Sequence, residues 1–245
     1  MAVRIGSARS SYGNTAPGDQ NGGWEVSAEN WYLHSKGWVV LRAVDPAQRE
    51  LIAQAMERAC ANDDIGYDQA SRNTLYSNVK PYGFDPSRTT KKVNTDCSAL
   101  VRVCANYAGI EVGDFITSSE AATLMATGAF EKFTDDAHCK SSDRLLRGDI
   151  LVTRTKGHTV VALSDGAKAA EERQSASATP AEGELVVASG SWNVRLGPGT
   201  QYGVVRTVRG GERLERVAPG DWIPVNLRGE VLWISAKAVA THAVS

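Results

Sequence analysis

The chain has 245 residues, of which 42% are hydrophobic and 22% are charged, and its formal net charge is −1. This charge balance excludes a strongly basic surface for nucleic acid, and no apolar run approaches the roughly 20 residues that span a bilayer. The length allows one large domain or two modest ones. We therefore expect a soluble globular protein that neither binds nucleic acid nor inserts into a membrane.

The cysteine content indicates free thiols rather than a disulfide framework. Four cysteines, at positions 60, 97, 104 and 139, are too sparse for such a framework, and free thiols fit a reducing cytosol. No CxxC or HxxxH pair supplies a zinc site, so we expect no metal and no cofactor. The N-terminus carries Arg4 but not the apolar segment of a secretory signal, which predicts synthesis in the cytoplasm without a signal peptide.

The first part of the chain is predicted to alternate irregular segments with helices. Residues 1–23, rich in Gly, Ser, Asn and Gln, look like an irregular arm. A dense group of aromatic residues between positions 24 and 38 either seals one edge of a core or walls a groove. We further predict a helix from Asp45-Pro46 to about Asn62, a turn at 65–69, a helix over 71–79, a polar loop over 85–94, a helix opened by a capping box of Thr117 and Glu120, and an irregular segment over 130–144.

Residues 94–104, with the sequence NTDCSALVRVC, predict a helix that begins beside Cys97. Thr95 or Asp96 can cap the exposed backbone N–H groups, and the apolar residues that follow supply one packed face. Cys97 then lies in the first turn, where the helix dipole and the unpaired N–H groups favour an anion. A thiol placed there loses its proton more easily, so we predict that Cys97 is a nucleophile that attacks a carbonyl group.

The rest of the chain is predicted to be rich in β-structure. Two β-rich runs, 150–153 and 159–163, lie on either side of a turn and predict a hairpin after a first turn at 147–149. Residues 164–183 contain no large apolar residue and predict a flexible linker, and the short apolar runs after it predict a small barrel. The predicted fold class is α+β: helices packed on an antiparallel sheet over residues 1–165, a linker over 166–183, and an all-β barrel over 184–245.

A thiol nucleophile needs a base, and the sequence offers four histidines. His242 lies in the C-terminal tail, His138 in a polar loop and His34 among the aromatic residues, whereas His158 begins an apolar strand. A Cys on a helix with a His on a strand is the arrangement of papain-like sites. From the residues alone, a buried structural Cys97 and a structural His158 stay open as the alternative.

Three motifs resemble those of the NlpC-type cysteine peptidases, the papain-like hydrolases of bacterial cell walls. They are Asp96-Cys97-Ser98, Arg147-Gly148-Asp149 and Gly157-His158, and their order and spacing match the family. Stretches between residues 18 and 76 are similar to those of phage endolysins and related prophage proteins that carry this domain. The resemblance covers about residues 15–165. It implies a papain-like fold, peptidoglycan as substrate, and action on the cell wall after release from the host cytoplasm.

Carried onto this sequence, the resemblance makes Cys97 the nucleophile and His158 the general base. Tyr67 is the candidate for the tyrosine that lines the oxyanion site in the family. Ser98 and Asp96 flank the nucleophile as in the family, and we take Asp96 as a cap and a structural group.

The third catalytic position departs from the family pattern. Many members place a polar residue about a dozen positions beyond the His, where this chain has the predicted linker. Asp165 is our candidate for orienting His158, and Ser164 or a site of two residues only are the alternatives.

The C-terminal part resembles a bacterial SH3-like domain over residues 184–240. The resemblance rests on the motif Trp192-Asn193-Val194-Arg195 with the following Gly-Pro-Gly, and on Trp222 and its neighbours. Such modules bind cell-wall peptide, which implies Trp192, Tyr202 and Trp222 as contacts, with barrel core as the alternative. The module would then raise the local concentration of substrate through the flexible linker without taking part in the chemistry.

The resemblance implies a peptidoglycan hydrolase, and we expect an endopeptidase that cleaves an amide bond within stem peptides. Three alternatives stay open. The protein could be an N-acetylmuramoyl-L-alanine amidase with the same site. It could be a non-catalytic cell-wall-binding protein with a degenerate hydrolase domain. It could also be an acyltransferase that uses the same thiol.

Overall fold

The computed structural model describes residues 2–10, 25–170, 184–187, 190–216, 222–227 and 230–240. The chain divides into two compact units, Met1–Arg173 and Gln174–Ser245. Within the described ranges, no helix combines the length and the apolar character that crossing a bilayer requires.

The first unit combines helices with one large antiparallel sheet, so the α+β prediction is confirmed. In chain order it contains β1 (Arg4–Ala8), β2 (Val26–Asn30), β3 (Trp38–Ala43), α1 (Pro46–Cys60), β4 (Ile65–Tyr67), α2 (Thr74–Val79), β5 (Val93–Thr95), α3 (Cys97–Tyr107), α4 (Glu120–Met125), β6 (Phe130–Phe133), α5 (Asp136–Cys139), β7 (Ile150–Thr153) and β8 (Thr159–Ala162). The large sheet has the strand order β2-β1-β8-β7-β3-β6, and β4 and β5 form a separate parallel pair.

The two long helices, α1 and α3, form the core on which the sheet packs. Helix α1 begins as predicted, with the Asp45 carboxylate accepting a hydrogen bond from the Ala47 N–H at 2.8 Å. Its residues at helical spacing, among them Leu51, Ile52 and Met56, have no exposed surface. The helix packs against α3 and against strands β1, β2, β3 and β8. Burial of these apolar faces, rather than helix propensity, stabilises both helices.

The predicted N-terminal arm is wrong for residues 4–8, which form β1 inside the sheet. This strand pairs with β2 along its whole length and with β8 at Ile5 and Gly6. A β-carbon at Gly6 would lie 2.5 Å from the Met56 side chain, so this glycine lets α1 approach the strand closely. At this position, a small residue is therefore a packing requirement. The part of the predicted arm over residues 11–23 lies outside the described residues.

Three other predicted irregular segments contain regular structure. The predicted turn at 65–69 begins with β4, and the predicted polar loop over 85–94 ends in β5. The segment over 130–144 contains β6, which pairs with β3, and the short helix α5. Each short strand gains its stability from a partner distant in sequence, which local composition does not reveal.

The predicted hairpin of β7 and β8 is confirmed, with Ile150 opposite Val161 and Val152 opposite Thr159.

A buried ion pair directly precedes the hairpin. The Asp149 carboxylate has no exposed surface and accepts hydrogen bonds from Arg42 Nε at 2.8 Å and from Arg42 Nη2 at 2.7 Å. This pair links the entrance of the hairpin to β3.

The first residues of the predicted linker pack on the first unit, so the prediction of a flexible segment is wrong for residues up to Ala169. Ala169 is buried, and its N–H donates to the Asp143 carbonyl at 3.0 Å. The N–H of Gly166 donates to the Leu145 carbonyl at 2.8 Å, and a β-carbon at Gly166 would overlap the Ser142 carbonyl oxygen. Small residues can therefore join a core edge through their backbone. Residues 171–183 lie outside the described residues.

The second unit consists of short antiparallel strands, as the turn-punctuated apolar runs predicted. It contains β9 (Glu184–Val187), β10 (Ser191–Arg195), β11 (Val204–Arg209), β12 (Arg213–Arg216), β13 (Trp222–Leu227), β14 (Glu230–Ser235) and β15 (Val239–Ala240). Their order in the sheet is β11-β10-β14-β13-β12-β9-β15. Val194, Val208, Val225 and Ile234 are among the fully buried residues of its core.

Candidate active site

Helix α3 begins at Cys97, and Asp96 is its N-cap as predicted. The Oδ1 atom of Asp96 accepts hydrogen bonds from the Ala99 N–H at 2.7 Å and from the Ser98 hydroxyl at 3.0 Å. Its Oδ2 atom lies 3.3 Å from Arg72 Nε. Both carboxylate oxygens are thus engaged in holding the start of the helix, which agrees with the structural role that we predicted for Asp96. The Ser98 hydroxyl is committed to the cap, so only the Ser98 N–H faces the sulphur of Cys97.

The parallel pairing of β4 with β5 places Tyr67 near the nucleophile. Tyr67 is opposite Thr95, two residues before Cys97. Its N–H donates to Glu25 Oε2 at 3.0 Å, and its hydroxyl oxygen accepts from the Gln69 side chain at 2.9 Å. Burial, together with the nearby negative charges that include a Cys97 thiolate, raises the pKa of Tyr67 to about 12. The phenol therefore stays protonated and keeps a proton to donate.

The β7–β8 hairpin fixes His158 at the start of β8. The His158 N–H donates to the Thr153 Oγ1 at 3.0 Å, and the Thr153 N–H donates to the His158 carbonyl at the same distance. The turn is also tied to the loop before α4, because the Gly157 N–H donates to the Thr117 Oγ1 at 3.2 Å. His158 is 7% exposed, as is Cys97.

The nucleophile candidate contacts the strand of the base candidate. The backbone N–H of Thr159, the residue after His158, acts to lower the pKa of Cys97, as an N–H group near the sulphur does. The helix start and the strand start therefore meet at this point. The structure thus brings together Cys97, Tyr67, Ser98, Asp96 and the segment that carries His158.

The electrostatics favour neutral forms of both candidate groups. Burial, followed by the charges of Asp96 and Glu120, raises the pKa of the Cys97 thiol to about 12, although the Thr159 and Ser98 N–H groups act in the opposite direction. Burial, followed by the charges of His34 and Arg9, lowers the pKa of His158 to about 4. At pH 7 the site therefore holds a neutral thiol and a neutral imidazole, not an ion pair.

The aromatic segment of residues 31–38 contributes both to the core and to the surroundings of the site. Trp38 has no exposed surface and donates its indole N–H to the Tyr32 carbonyl at 2.8 Å. Its ring centroid lies 5.2 Å from that of His34 and 5.8 Å from that of Tyr32. The charge of His34 acts on His158, and that of Cys97 acts on Tyr32. Trp38 therefore seals the core, as one interpretation predicted, and the groove wall stays a prediction for Tyr32 and His34.

Asp165 does not serve as the partner of His158, which corrects our prediction. Its Oδ1 atom accepts a hydrogen bond from the Arg147 N–H at 2.7 Å. His158 precedes β8 and Asp165 follows it, and the four residues of an extended strand alone span about 13 Å. Ser164 also follows β8, and its hydroxyl accepts from the Arg4 N–H at 3.0 Å. Neither side chain is placed to orient the imidazole.

Glu120 is a residue of the site that the sequence analysis misassigned. We took it as the second member of a capping box with Thr117, but the N-cap of α4 is Ser119, without a side-chain capping bond. The Glu120 carboxylate instead accepts a hydrogen bond from the Thr159 Oγ1 at 2.6 Å and has no exposed surface. Spacing within one helix could not show this, because the partner is 39 residues away.

A cavity in the described part of the first unit lies apart from the two candidate catalytic residues. A cavity of about 540 Å³ beside Arg72 is lined by residues of the 70–78 segment and Val93, and neither Cys97 nor His158 lines it. Within the described ranges, no group of three or more His, Cys, Asp or Glu side chains is arranged to hold a metal ion.

The second unit contains a cavity of about 700 Å³ that includes two of the three predicted wall contacts. Its lining combines two indoles, Trp192 and Trp222, with two cationic side chains, Arg195 and Lys237. Tyr202 does not line this cavity and is only 4% exposed. The structure therefore brings the two tryptophans together and places Tyr202 in the packed interior, which corrects its prediction as a contact.

Two comparisons with known proteins concern this chain. A stretch of 60 residues is 43% identical to "Putative N-acetylmuramoyl-L-alanine amidase YrvJ" of Bacillus subtilis (strain 168). The match covers 24% of this chain and 12% of that protein, so the chain corresponds to a small part of this relative. Residues 7–169, about two thirds of the chain, match the family described as "Endolysin-like domain". The chain therefore belongs to the endolysin-like domain family.

Proposed function

We propose that the protein is a peptidoglycan hydrolase of the papain-like cysteine type that cleaves an amide bond in cell-wall stem peptides. One observation carries the proposal: Cys97 begins a capped helix in an endolysin-like domain, and this helix packs against β8, the strand that follows His158 directly. A thiol and an imidazole on a helix start and a strand start form the arrangement of papain-like sites. The resemblance to NlpC-type peptidases supports the same assignment.

In this proposal, His158 removes the Cys97 proton as the sulphur attacks the amide carbonyl. A neutral imidazole is the form that can accept a proton, which the low pKa of His158 ensures at pH 7. The N–H groups at the start of α3 and the Tyr67 hydroxyl bind the developing oxyanion, and each such donor contributes about 2.7–4 kcal/mol. His158 then protonates the leaving amine, and water, deprotonated by His158, hydrolyses the thioester to release a carboxylic acid and the free thiol.

The experiment is to incubate purified sacculi with the wild-type protein and with Cys97→Ala. Cys60→Ala is the matched control, because Cys60 is a partly exposed thiol at the end of α1. We expect the wild type and Cys60→Ala to release soluble muropeptides and Cys97→Ala to release none. Lysis by Cys97→Ala at the wild-type rate would overturn the assignment.

The bond that is cleaved distinguishes two versions of the proposal. The endopeptidase is our first choice, and the amidase that cuts between muramic acid and L-alanine is the second, which the printed name of the Bacillus relative favours. Mass spectrometry of the products separates them. An endopeptidase leaves a new amino terminus within the stem peptide, whereas an amidase frees the amino group of L-alanine and leaves sugar chains without peptide.

Two further outcomes would replace hydrolysis by another function. A non-catalytic wall-binding protein predicts that Cys97 is inert toward iodoacetamide and that no new end group forms. An acyltransferase predicts that products appear only when an acceptor amine is added. Both are read out in the same incubation by labelling Cys97 and by omitting or adding the amine.

We further propose that the second unit is an SH3-like module that binds cell wall at the cavity of Trp192 and Trp222. Two partly exposed indoles beside Arg195 and Lys237 provide apolar faces and positive charge for a peptide that carries carboxylates. We expect Trp192→Ala and Trp222→Ala to reduce sedimentation of the protein with sacculi. Val205→Ala is the control, since Val205 is an exposed apolar residue that does not line the cavity. Equal sedimentation of all variants would contradict this proposal.

A further inference from the structure

Glu120 is a buried carboxyl group for which the mechanism above has no role. Its Oε1 atom accepts a hydrogen bond from the Thr159 hydroxyl at 2.6 Å. Its Oε2 atom is buried, and no described residue forms a hydrogen bond with it. A carboxylate with an unsatisfied buried oxygen is costly, so such a group is expected to have a function or to stay protonated.

The same threonine links Glu120 to the nucleophile. The Thr159 hydroxyl donates to the Glu120 carboxyl group, and Thr159 begins β8, which packs against the helix that Cys97 begins. Thr159 also follows His158 directly, and its backbone N–H acts to lower the pKa of Cys97. One residue of β8 therefore connects the buried acid with the strand that packs on the helix of the nucleophile.

We propose that Glu120 is a positioning residue that holds Thr159 against Cys97 and that the charge of its carboxyl group controls the reactivity of the thiol. The inference rests on the proposed function, because it concerns the same nucleophile. It adds a residue on α4 to a site otherwise built from α3, β4 and the β7–β8 hairpin.

The groups that face Glu120 determine when it becomes charged. Thr159 faces it from β8, Asp96 and Cys97 from the start of α3, and Arg72 from the loop before α2. Burial is the main cause that raises the pKa of Glu120 to about 8; Asp96 acts in the same direction, and the Thr159 hydrogen bond and Arg72 act against it. Glu120 is therefore mostly neutral at pH 7.

The consequence is that the reactivity of the Cys97 thiol rises less steeply with pH than it would without the charge of Glu120. As the pH rises through about 8, Glu120 becomes an anion, and a neighbouring anion disfavours the thiolate of Cys97. In Glu120→Gln this charge never appears. The thiol of this variant should therefore gain reactivity, relative to the wild type, only as the pH rises.

The test measures alkylation of Cys97 by iodoacetamide between pH 6.5 and 9.5 in the full-length wild type and in Glu120→Gln, with mass spectrometry of the Cys97 peptide. We expect the ratio of the variant rate constant to the wild-type rate constant to be about tenfold higher at pH 9.5 than at pH 6.5, as a one-unit change in the thiol pKa predicts. A ratio that is the same at all pH values would overturn the proposal. A merely structural role would not produce a pH-dependent ratio.

A second pair of variants keeps the test decisive if Glu120→Gln does not fold. Thr159→Val removes the hydroxyl donor, which should make Glu120 ionise at higher pH and so move the range of the shallower rise in reactivity to higher pH. Thr159→Ser keeps the donor and should restore the wild-type profile. Identical profiles for Thr159→Val and the wild type would contradict the role of Glu120. Because alkylation needs no wall substrate, this result is independent of whether Cys97→Ala abolishes lysis, which tests the proposed function.

Discussion

Tyr67 lies opposite Thr95 in the parallel β4–β5 pair, so the phenol is placed by a strand that ends two residues before Cys97. This short pair, rather than the large sheet, sets the relation between the oxyanion candidate and the nucleophile. Glu25 fixes the Tyr67 backbone, and Gln69 contacts its hydroxyl. The position of the phenol therefore depends on contacts on both sides of the residue.

We predict that Tyr67→Phe lowers kcat for release of muropeptides by about 100-fold, because it removes one donor to the oxyanion while keeping the ring. The rate of dye release from labelled sacculi measures the effect, and circular dichroism checks the fold. Tyr82→Phe is the control, since Tyr82 is 52% exposed. A Tyr67→Phe rate equal to that of the control would remove Tyr67 from the site.

The pH dependence of hydrolysis should reflect the unusual imidazole. Because His158 must be neutral to accept the thiol proton and its pKa is lowered to about 4, activity should persist at pH 5 and be lost as the pH falls through about 4. Initial rates from pH 3 to 7 measure this, with circular dichroism at each pH to confirm that the fold is retained. If activity is instead lost with a midpoint near pH 6.5, the ordinary pKa of histidine, the lowered pKa of His158 in the substrate-free protein does not determine the pH dependence of the reaction.

Replacement of Asp149 should destabilise the protein far more than replacement of an exposed acid. Asp149→Ala leaves Arg42 without its buried partner, which we expect to lower the free energy of unfolding by about 3 kcal/mol or more. Asp136→Ala is the matched control, since the Asp136–Lys140 pair is mostly exposed. Urea unfolding of both variants gives the comparison, and equal midpoints would show that the buried pair does not support the hairpin.

Replacement of Asp165 should leave the chemistry intact. We expect Asp165→Ala to hydrolyse sacculi within about twofold of the wild-type rate, since its carboxylate binds the Arg147 N–H at the far end of β8 from His158. The comparison is with His158→Ala, which should be inactive. A loss in Asp165→Ala as large as in His158→Ala would restore Asp165 as the orienting residue.

The parts of the fold that sequence analysis predicted correctly are those decided by neighbouring residues. Helix α1 follows from Asp45, Pro46 and the apolar spacing behind them, and the cap of α3 follows from Asp96. The β7–β8 hairpin follows from two apolar runs around one turn. In each case the residues that stabilise the element lie within it or beside it in the chain.

The parts that were missed depend on residues distant in sequence. Ile5 pairs with Ala162, and Tyr67 pairs with Thr95, so neither short strand has a local signal strong enough to reveal it. Glu120 matches a helix-capping pattern, yet it binds a threonine on a strand. For the site, the sequence correctly predicted that Cys97 begins a helix and that His158 lies at the start of a strand. A residue that orients His158 could not be found by counting along the chain from His158.

The placement of β1 between β2 and β8 has a consequence for biosynthesis. Its hydrogen bonds to β8 join residue 5 to residue 162, so the sheet cannot be completed until nearly the whole first unit has left the ribosome. The nucleophile emerges long before the strand that contacts its sulphur. A nascent chain halted before β8 is translated therefore contains the thiol but not the assembled site.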